Sequence, residues 1–204
     1  MFNAEKLINL FDKLIKNWHS QNKIKLTNNT KNELENLVIK LLFHNYTLWH
    51  LEDEARAVDV SDEIIANVKR KIDKENQLRN DTIEIIDIYI FNELANKKIK
   101  PKKNSYSPTE TLGAALDRLT IISLKIYHMA LETLRKNAAA DHKKKCSDKL
   151  KILKIQRVDL AQAINTTLEK ILKGELIHKI YRQMKMYNDP TLNPILYKKK
   201  SKRK

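Results

Sequence analysis

The sequence predicts an all-α fold: a single antiparallel bundle of four long helices, with short helices at its N- and C-terminal ends. Three observations carry that prediction. Glycine occurs only at Gly113 and Gly174 and proline at four positions in 204 residues, too few breakers for a β architecture of many turns. Apolar residues recur three and four apart along extended segments, which is the period of one helix face. The links between these segments are short and polar, which favours antiparallel neighbours.

A first amphipathic helix is expected from about Asn3 to Asn17, with Leu7, Leu10, Phe11 and Leu14 on one face. Ser20 to Asn29 is polar and reads as a loop. Thr30 with Glu33 has the spacing of a capping box, and Leu34, Leu37, Leu41, Leu48 and Leu51 carry a second helix to about Ala57. After a tight link at Val58 to Val60, Ser61 is placed to cap a third helix, with Asp62 and Glu63 favourable in its first turn. That helix runs to about Asn96 on Ile65, Val68, Ile72, Asn76, Arg79, Ile83, Asp87 and Ile90. A basic link, Lys97 to Tyr106, leads to Ser107-Pro108-x-Glu110, the pattern of a helix start, and a fourth helix reaches about Ala139 on Leu112, Leu116, Leu119, Ser123, Ile126 and Ala130. Lys143 to Lys145 reads as a second basic loop. A fifth helix spans about Ser147 to Lys173, and Gly174 is a fitting C-terminal cap. A short helix, about Glu175 to Met186, precedes a turn at Tyr187-Asn188-Asp189-Pro190. One helical domain over residues 1–197 and a disordered basic tail, Lys198 to Lys204, complete the layout.

The net charge is +15. Most of that excess sits in Lys97–Lys103, Lys143–Lys145 and Lys198–Lys204, which hold no acid, so the helices themselves are nearly balanced. Such a distribution leaves salt-sensitive, sequence-independent nucleic-acid binding open through Lys97–Lys103 and Lys198–Lys204. Abundant Lys, Asn and Ile also match the bias of an A/T-rich genome. One cysteine, Cys146, excludes an internal disulfide and suits a reducing compartment. No apolar run approaches membrane-spanning length, and the first residues lack the uninterrupted apolar core of a signal peptide, so the cytoplasm is the expected location.

Polar residues inside apolar stripes are the main pointer to function. Arg157 lies in the stripe Leu150, Leu153, Arg157, Leu160, Ile164, Leu168, Ile171, and a buried charge must be answered by a carboxylate or an anionic ligand. Asn45, Trp49, Glu52 and Arg56 form one strip of the second helix. A hairpin turning near Asp59 places Asn45 opposite Asp73 and Asn76 opposite Leu42, so polar groups meet across that interface, as a ligand site or as a register-fixing network. Asp87, Asp117, His128 and Arg157 approach the bundle interior from three helices. His128 with Asp117 is the best general acid–base pair, and Arg157 with Lys125 the best anion clamp.

Several chemistries find no support in the spacing. A di-iron carboxylate bundle needs two Glu-x-x-His motifs on core helices, and only Glu175-x-x-His178 is present. There is no His-Glu-x-x-His, no paired-cysteine zinc spacing and no glycine-rich phosphate loop, so no metal ligands are assigned and the cofactor is left open. Glu84-x-x-Asp87 is similar to the second motif of all-helical nucleotide pyrophosphatases, but hairpin geometry sets Glu52 and Asp53 opposite residues near Ile65 instead. Cys146 has only His142 near it in sequence as a partner.

The run His44-Asn-Tyr-Thr-Leu-Trp-His-Leu-Glu-Asp-Glu-Ala-Arg56 resembles the signature of a bacterial family of unknown function. So do Lys71-Ile-Asp-Lys-Glu-Asn-Gln-Leu-Arg-Asn-Asp81, Asp117-Arg-Leu, Leu124-Lys-Ile-Tyr-His-Met129, Gln156-Arg-Val-Asp-Leu160 and Lys185-Met-Tyr-Asn-Asp-Pro190. The resemblance covers about Leu34 to Tyr197. It implies a single helical domain in Gram-negative bacteria and a link to cell-envelope glycosyltransferases, and carries no activity. The family positions it implies, Asn45, Trp49, Glu52, Arg56, Asn76, Asn80, Asp117, His128 and Arg157, coincide with those picked out by spacing. The expectation is therefore a pocket between the helices, lined by these residues and Lys125, that binds or turns over a sugar phosphate or nucleotide. The alternatives are a nucleic-acid or ribosome-associated protein and a scaffold for a glycosyltransferase. Whether the protein is an enzyme, and its oligomeric state, are left open.

Overall fold

The computed structural model describes residues 1–198 except 22, 23, 25, 27–29, 185, 187 and 188. Among these residues it is an all-α bundle of six helices: α1 (Ala4–His19), α2 (Glu33–Glu54), α3 (Asp62–Asn96), α4 (Leu112–Leu134), α5 (Ala140–Leu172) and a single turn, α6 (Pro194–Tyr197). Two hairpins, α2–α3 and α4–α5, dominate the packing, and α1 lies across α2, α4 and α5. No helix of the described residues is long and apolar enough to cross a membrane.

The apolar stripes explain the arrangement. Leu7, Phe11, Ile15 and Trp18 bury the inner face of α1, which Asn3 caps by accepting from the Lys6 amide at 2.9 Å. Burying four such side chains stabilises by roughly 6–12 kcal/mol before entropy is charged against it. Ile164, Leu168 and Ile171 are buried on α5, and Leu150, Leu153 and Leu160 on the same stripe are half-buried. One core cluster draws on α1 to α5 and Leu176; a smaller one, Leu48 with Val68 and Ile72, closes the far end of the α2–α3 hairpin. The hairpin register follows the expected turn near Asp59, with His44 Nδ1 2.5 Å from Glu75 Oε1 across it.

Several boundaries differ from the sequence reading. The first turn of α2 is capped by Asn32, which accepts from the Glu35 amide at 3.3 Å; the Thr30 hydroxyl instead donates to Asn32 O and Asn36 Oδ1, both at 2.9 Å. Ser61 occupies the N-cap of α3 without a side-chain cap bond. The fourth helix begins at Leu112 rather than at Pro108. Thr111 is its cap, accepting from the Ala114 amide at 3.1 Å, and Glu110 leaves the proposed capping box to pair with Arg118 at 2.7 Å. The reason is Asp87, whose Oδ1 accepts from the Gly113 amide at 2.7 Å and whose carboxylate also bonds the Thr111 side chain. A buried carboxylate at a helix N-terminus satisfies orphan amides there and fixes where the helix starts.

Helix α5 begins at Ala140, so Lys143 to Lys145 lie in its first turns and not in a loop. It ends where expected: Gly174 adopts φ 69°, its amide donates to Ile171 O at 2.9 Å and the Glu175 amide to Lys170 O at 2.8 Å, the pair of bonds of a Schellman cap. The helix expected over residues 175–186 is absent from the described residues. The chain runs extended beside the α3–α4 link, with a bridge between Tyr106 and Leu176, the Ile177 amide donating to Tyr106 O at 2.9 Å, and His178 Nε2 donating to Asp87 O at 2.9 Å. The expected turn at Tyr187-Asn188 and the tail beyond Lys198 fall outside the described residues.

Arg157 is answered by a carboxylate. Its guanidinium meets Asp12 of α1 through two bonds of 2.6 and 3.1 Å. The Arg157 side chain is 12% exposed but Asp12 is 48% exposed, so solvent screens the pair. A double-mutant cycle of Arg157→Leu and Asp12→Asn by urea unfolding should give a coupling of about 1 kcal/mol. A coupling above about 3 kcal/mol would instead mark a pair that behaves as fully buried.

Candidate functional site

A cleft of about 400 Å³ opens between α2, α3 and α4. Asn45, Trp49, Glu52 and Asp53 line it from α2 and Arg56 from the turn just beyond it, Asn76 and Arg79 from α3, and Ile121 and Leu124 from α4. Five of the residues singled out from the sequence (Asn45, Trp49, Glu52, Arg56 and Asn76) therefore share one wall-to-wall space. Its size is in the range of small-molecule sites.

The floor is a hydrogen-bonded network. Asn45 Nδ2 donates to Asp117 Oδ1 at 2.7 Å and lies 2.8 Å from Thr120 Oγ1, and the Thr120 hydroxyl donates to the Asp117 carbonyl at 2.7 Å. Burial pushes the Asp117 carboxyl above the ordinary aspartate range, opposed by the Asn45 bond and the nearby charge of Arg79. Arg79 is the residue that stripe analysis noted without assigning it to the site. Its Nε is buried and has no hydrogen-bond partner, an uncommon condition for a guanidinium. At the mouth, Arg56 folds back on the end of α2, 2.5 Å from Glu52 O and 3.4 Å from Glu52 Oε2.

Other expected partnerships do not form. His128 and Asp117 both lie on α4, eleven residues apart, which is about 16 Å along a helix. Asp117 engages Asn45, while His128 faces a different group of side chains, so they are not an acid–base pair. Arg157 is held on Asp12 and Lys125 is exposed beside a separate apolar groove, so they form no anion clamp. Asn80 is half-buried on α3 and is not among the residues that line the cleft. Glu84 pairs with Arg182 at 3.8 Å and Asp87 is consumed by the start of α4, so the pyrophosphatase-like carboxylates do not face Glu52 and Asp53.

What His128 does face is a histidine cluster. Trp49 stacks on it with planes 5° apart and centroids 4.4 Å apart. His19, from the last turn of α1, and His50, from α2, approach it with centroids at 5.0 and 5.9 Å. One ring nitrogen from each of the three lies within 4.8 Å of the others, and the Nε2 atoms of all three are buried without a hydrogen-bond partner. Burial, reinforced by the neighbouring imidazoles, pushes His128 down to about 4 and lowers His50. Tyr46 and Tyr127 pack against His19. Sequence scanning for ligand spacing could not find this group, because its members come from three helices.

Cys146 lies 3.4 Å from His142 Nε2, and the same nitrogen is 3.0 Å from Glu132 Oε2. A nucleophilic relay needs the two imidazole nitrogens to serve the thiol and the carboxylate separately, so this arrangement is not one. The lysines of residues 97–103 are exposed in the α3–α4 link, with Lys102 3.5 Å from Glu175.

A family model described as "Protein of unknown function (DUF4254)" matches residues 35–180, most of the chain. No curated protein and no solved structure matches.

Proposed function

As a member of the DUF4254 family, the chain has no activity to inherit from it, and we propose from the cleft alone that the protein binds a phosphorylated small molecule there. The observation that carries this reading is Arg79: a guanidinium on the wall of a ligand-sized cleft, with its Nε buried and lacking a hydrogen-bond acceptor. A phosphate oxygen supplies such an acceptor, and the planar fork of arginine matches it. Asn45 and Asn76 add amide groups suited to hydroxyls, Glu52 and Asp53 accept from them, and the indole of Trp49 offers an apolar surface for a sugar ring or base. A sugar phosphate or nucleotide combines these groups. A bacterial origin and a connection to cell-envelope glycan synthesis, both implied by the family resemblance, and the cytoplasmic location expected from the sequence fit that ligand class. The anion role assigned by sequence to Arg157 passes to Arg79.

The test is calorimetric and thermal-shift titration with inorganic phosphate, glucose 1-phosphate, UMP and a short RNA. At least one phosphorylated small molecule should bind, Arg79→Gln should weaken it tenfold or more, about 1.4 kcal/mol, and Arg157→Leu should leave it unchanged. Equal affinity in Arg79→Gln would sink the reading. A salt-sensitive response to RNA alone would support nucleic-acid binding through the exposed lysines instead.

A further inference from the structure

We propose that His19, His50 and His128 form a three-histidine site for a divalent transition metal of the zinc class, at the junction of α1, α2 and α4. Three imidazole nitrogens within 4.8 Å of one another, each histidine carrying a buried Nε2 without a partner, is an arrangement that an ion would satisfy at one stroke. The alternative, three buried lone pairs or N–H groups left unmade, costs about 1–3 kcal/mol each.

His19 gives the strongest argument. Its Nδ1 is 2.8 Å from the Ile15 carbonyl, which can only accept, so Nδ1 carries the proton and Nε2 presents a bare lone pair. A backbone carbonyl on the far nitrogen is the usual outer partner of a metal-bound histidine, since it fixes both tautomer and ring orientation. Trp49, stacked on His128, holds a second ring in place. Zinc–nitrogen distances of 2.0–2.1 Å set the donors of a tetrahedral site about 3.3 Å apart, so the rings need to close by about 1.5 Å, within reach of small side-chain rotations. Three imidazoles without thiolate suit zinc, cobalt, nickel or copper, and a three-ligand site keeps a position open for water or another donor. Asp53, whose charge acts on both His50 and His128, is placed to offset part of the ion's charge.

The site depends on α1, and His19 lies outside the residues matched by the family model. It does not rest on ligand binding in the cleft. Trp49 touches both, stacking on His128 and lining the cleft, so its indole separates the two.

The experiment is metal titration of the chelator-stripped full chain with zinc chloride and, for spectroscopy, cobalt chloride. The wild type should take up one ion per chain at micromolar or lower Kd, with the visible absorption of four-coordinate cobalt and a rise in Tm of several degrees on adding zinc. His19→Gln and His50→Gln should each weaken uptake at least a hundredfold while the metal-free proteins keep the wild-type circular dichroism. His142→Gln, which removes the histidine beside Cys146, should bind as the wild type does. Absence of uptake by the wild type, or uptake that survives both His19→Gln and His50→Gln, overturns the proposal. If His50→Gln fails to fold, His19→Gln alone decides, because His19 sits in the last turn of α1, where the loss of one side chain leaves the helix intact.

Discussion

Gly113→Ala is expected to destabilise the protein by about 3 kcal/mol and lower its Tm by roughly 6–12 °C, against the direction that helix propensity predicts. In an ordinary helix the exchange gains up to about 1 kcal/mol, because alanine restricts the unfolded chain more than glycine does. Here an added Cβ would sit 2.6 Å from the Ile83 carbonyl and 2.9 Å from Asp87 Cγ and Oδ1. The first of these is backbone in the middle of α3 and cannot rotate away. The start of α4 must then lift from α3, stretching the 2.7 Å bond by which the Gly113 amide holds Asp87. Asp87 is 2% exposed, and burial already pushes its carboxyl upward against the opposing bonds from Thr111 and Gly113 and the charge of His178. Weakening those bonds exposes the full cost of an unanswered buried carboxylate. Urea unfolding of the variant checks the magnitude; a Tm equal to or above that of the wild type would show that α4 shifts without penalty.

How much of this was legible follows from whether each interaction is local. The stripe through Ile164, Leu168 and Ile171, the glycine cap at Gly174 and the hairpin register seen at His44 and Glu75 all rest on spacing within one helix or across one short turn. Part of the cleft was legible for the same reason, since Asn45, Trp49, Glu52 and Arg56 share a strip that runs along α2 and just past its end, whereas Arg79 was noted in its stripe and not assigned to a site. Helix starts were less so. The signature at Ser107-Pro108-x-Glu110 is sound as local chemistry, but Asp87, more than twenty residues earlier, captures Thr111 and Gly113 and sets the start later. Residues 175–181 form an extended segment in which Leu176 and His178 are buried, Ile177 and Ile180 half-buried, and Glu175, Lys179 and Tyr181 exposed, a pattern that Glu-Leu-Ile-His-Lys-Ile-Tyr does not spell as an alternation of polar and apolar residues. The short helix expected over about Glu175 to Met186 lost to this extended path, which the bridge between Tyr106 and Leu176 holds. The partner of Arg157 and the histidine cluster were out of reach, because each depends on where α1 lies across the bundle, and no local pattern encodes that.

Asn45→Ala should cost about 3 kcal/mol at neutral pH, and the cost should shrink as the pH is lowered. The amide of Asn45 is the side-chain donor to Asp117, whose side chain is 9% exposed as a residue in the floor of the cleft. Removing it loses one charge-assisted bond, worth about 1.5–3 kcal/mol, and the contact with Thr120. The sign with pH follows from the direction of the shift. Asp117 is raised by burial and held down in part by Asn45, so the folded state binds its proton more tightly than the unfolded chain does. Stability is therefore gained as pH falls through the raised value toward the ordinary aspartate value, and the burial cost is fully present above it. Without Asn45 the carboxyl rises further. The deficit relative to the wild type is then largest where both proteins carry the carboxylate, and falls where both carry the neutral acid, which needs the donor less. The double variant Asn45→Ala with Asp117→Asn has no carboxylate to strand, so its deficit should be smaller at neutral pH and flat across the range. Urea midpoints of the wild type, Asn45→Ala, Asp117→Asn and the double variant at several pH values measure this directly, and a deficit for Asn45→Ala that does not change with pH would mean that packing around Asn45, and not the charge of Asp117, sets the floor of the cleft.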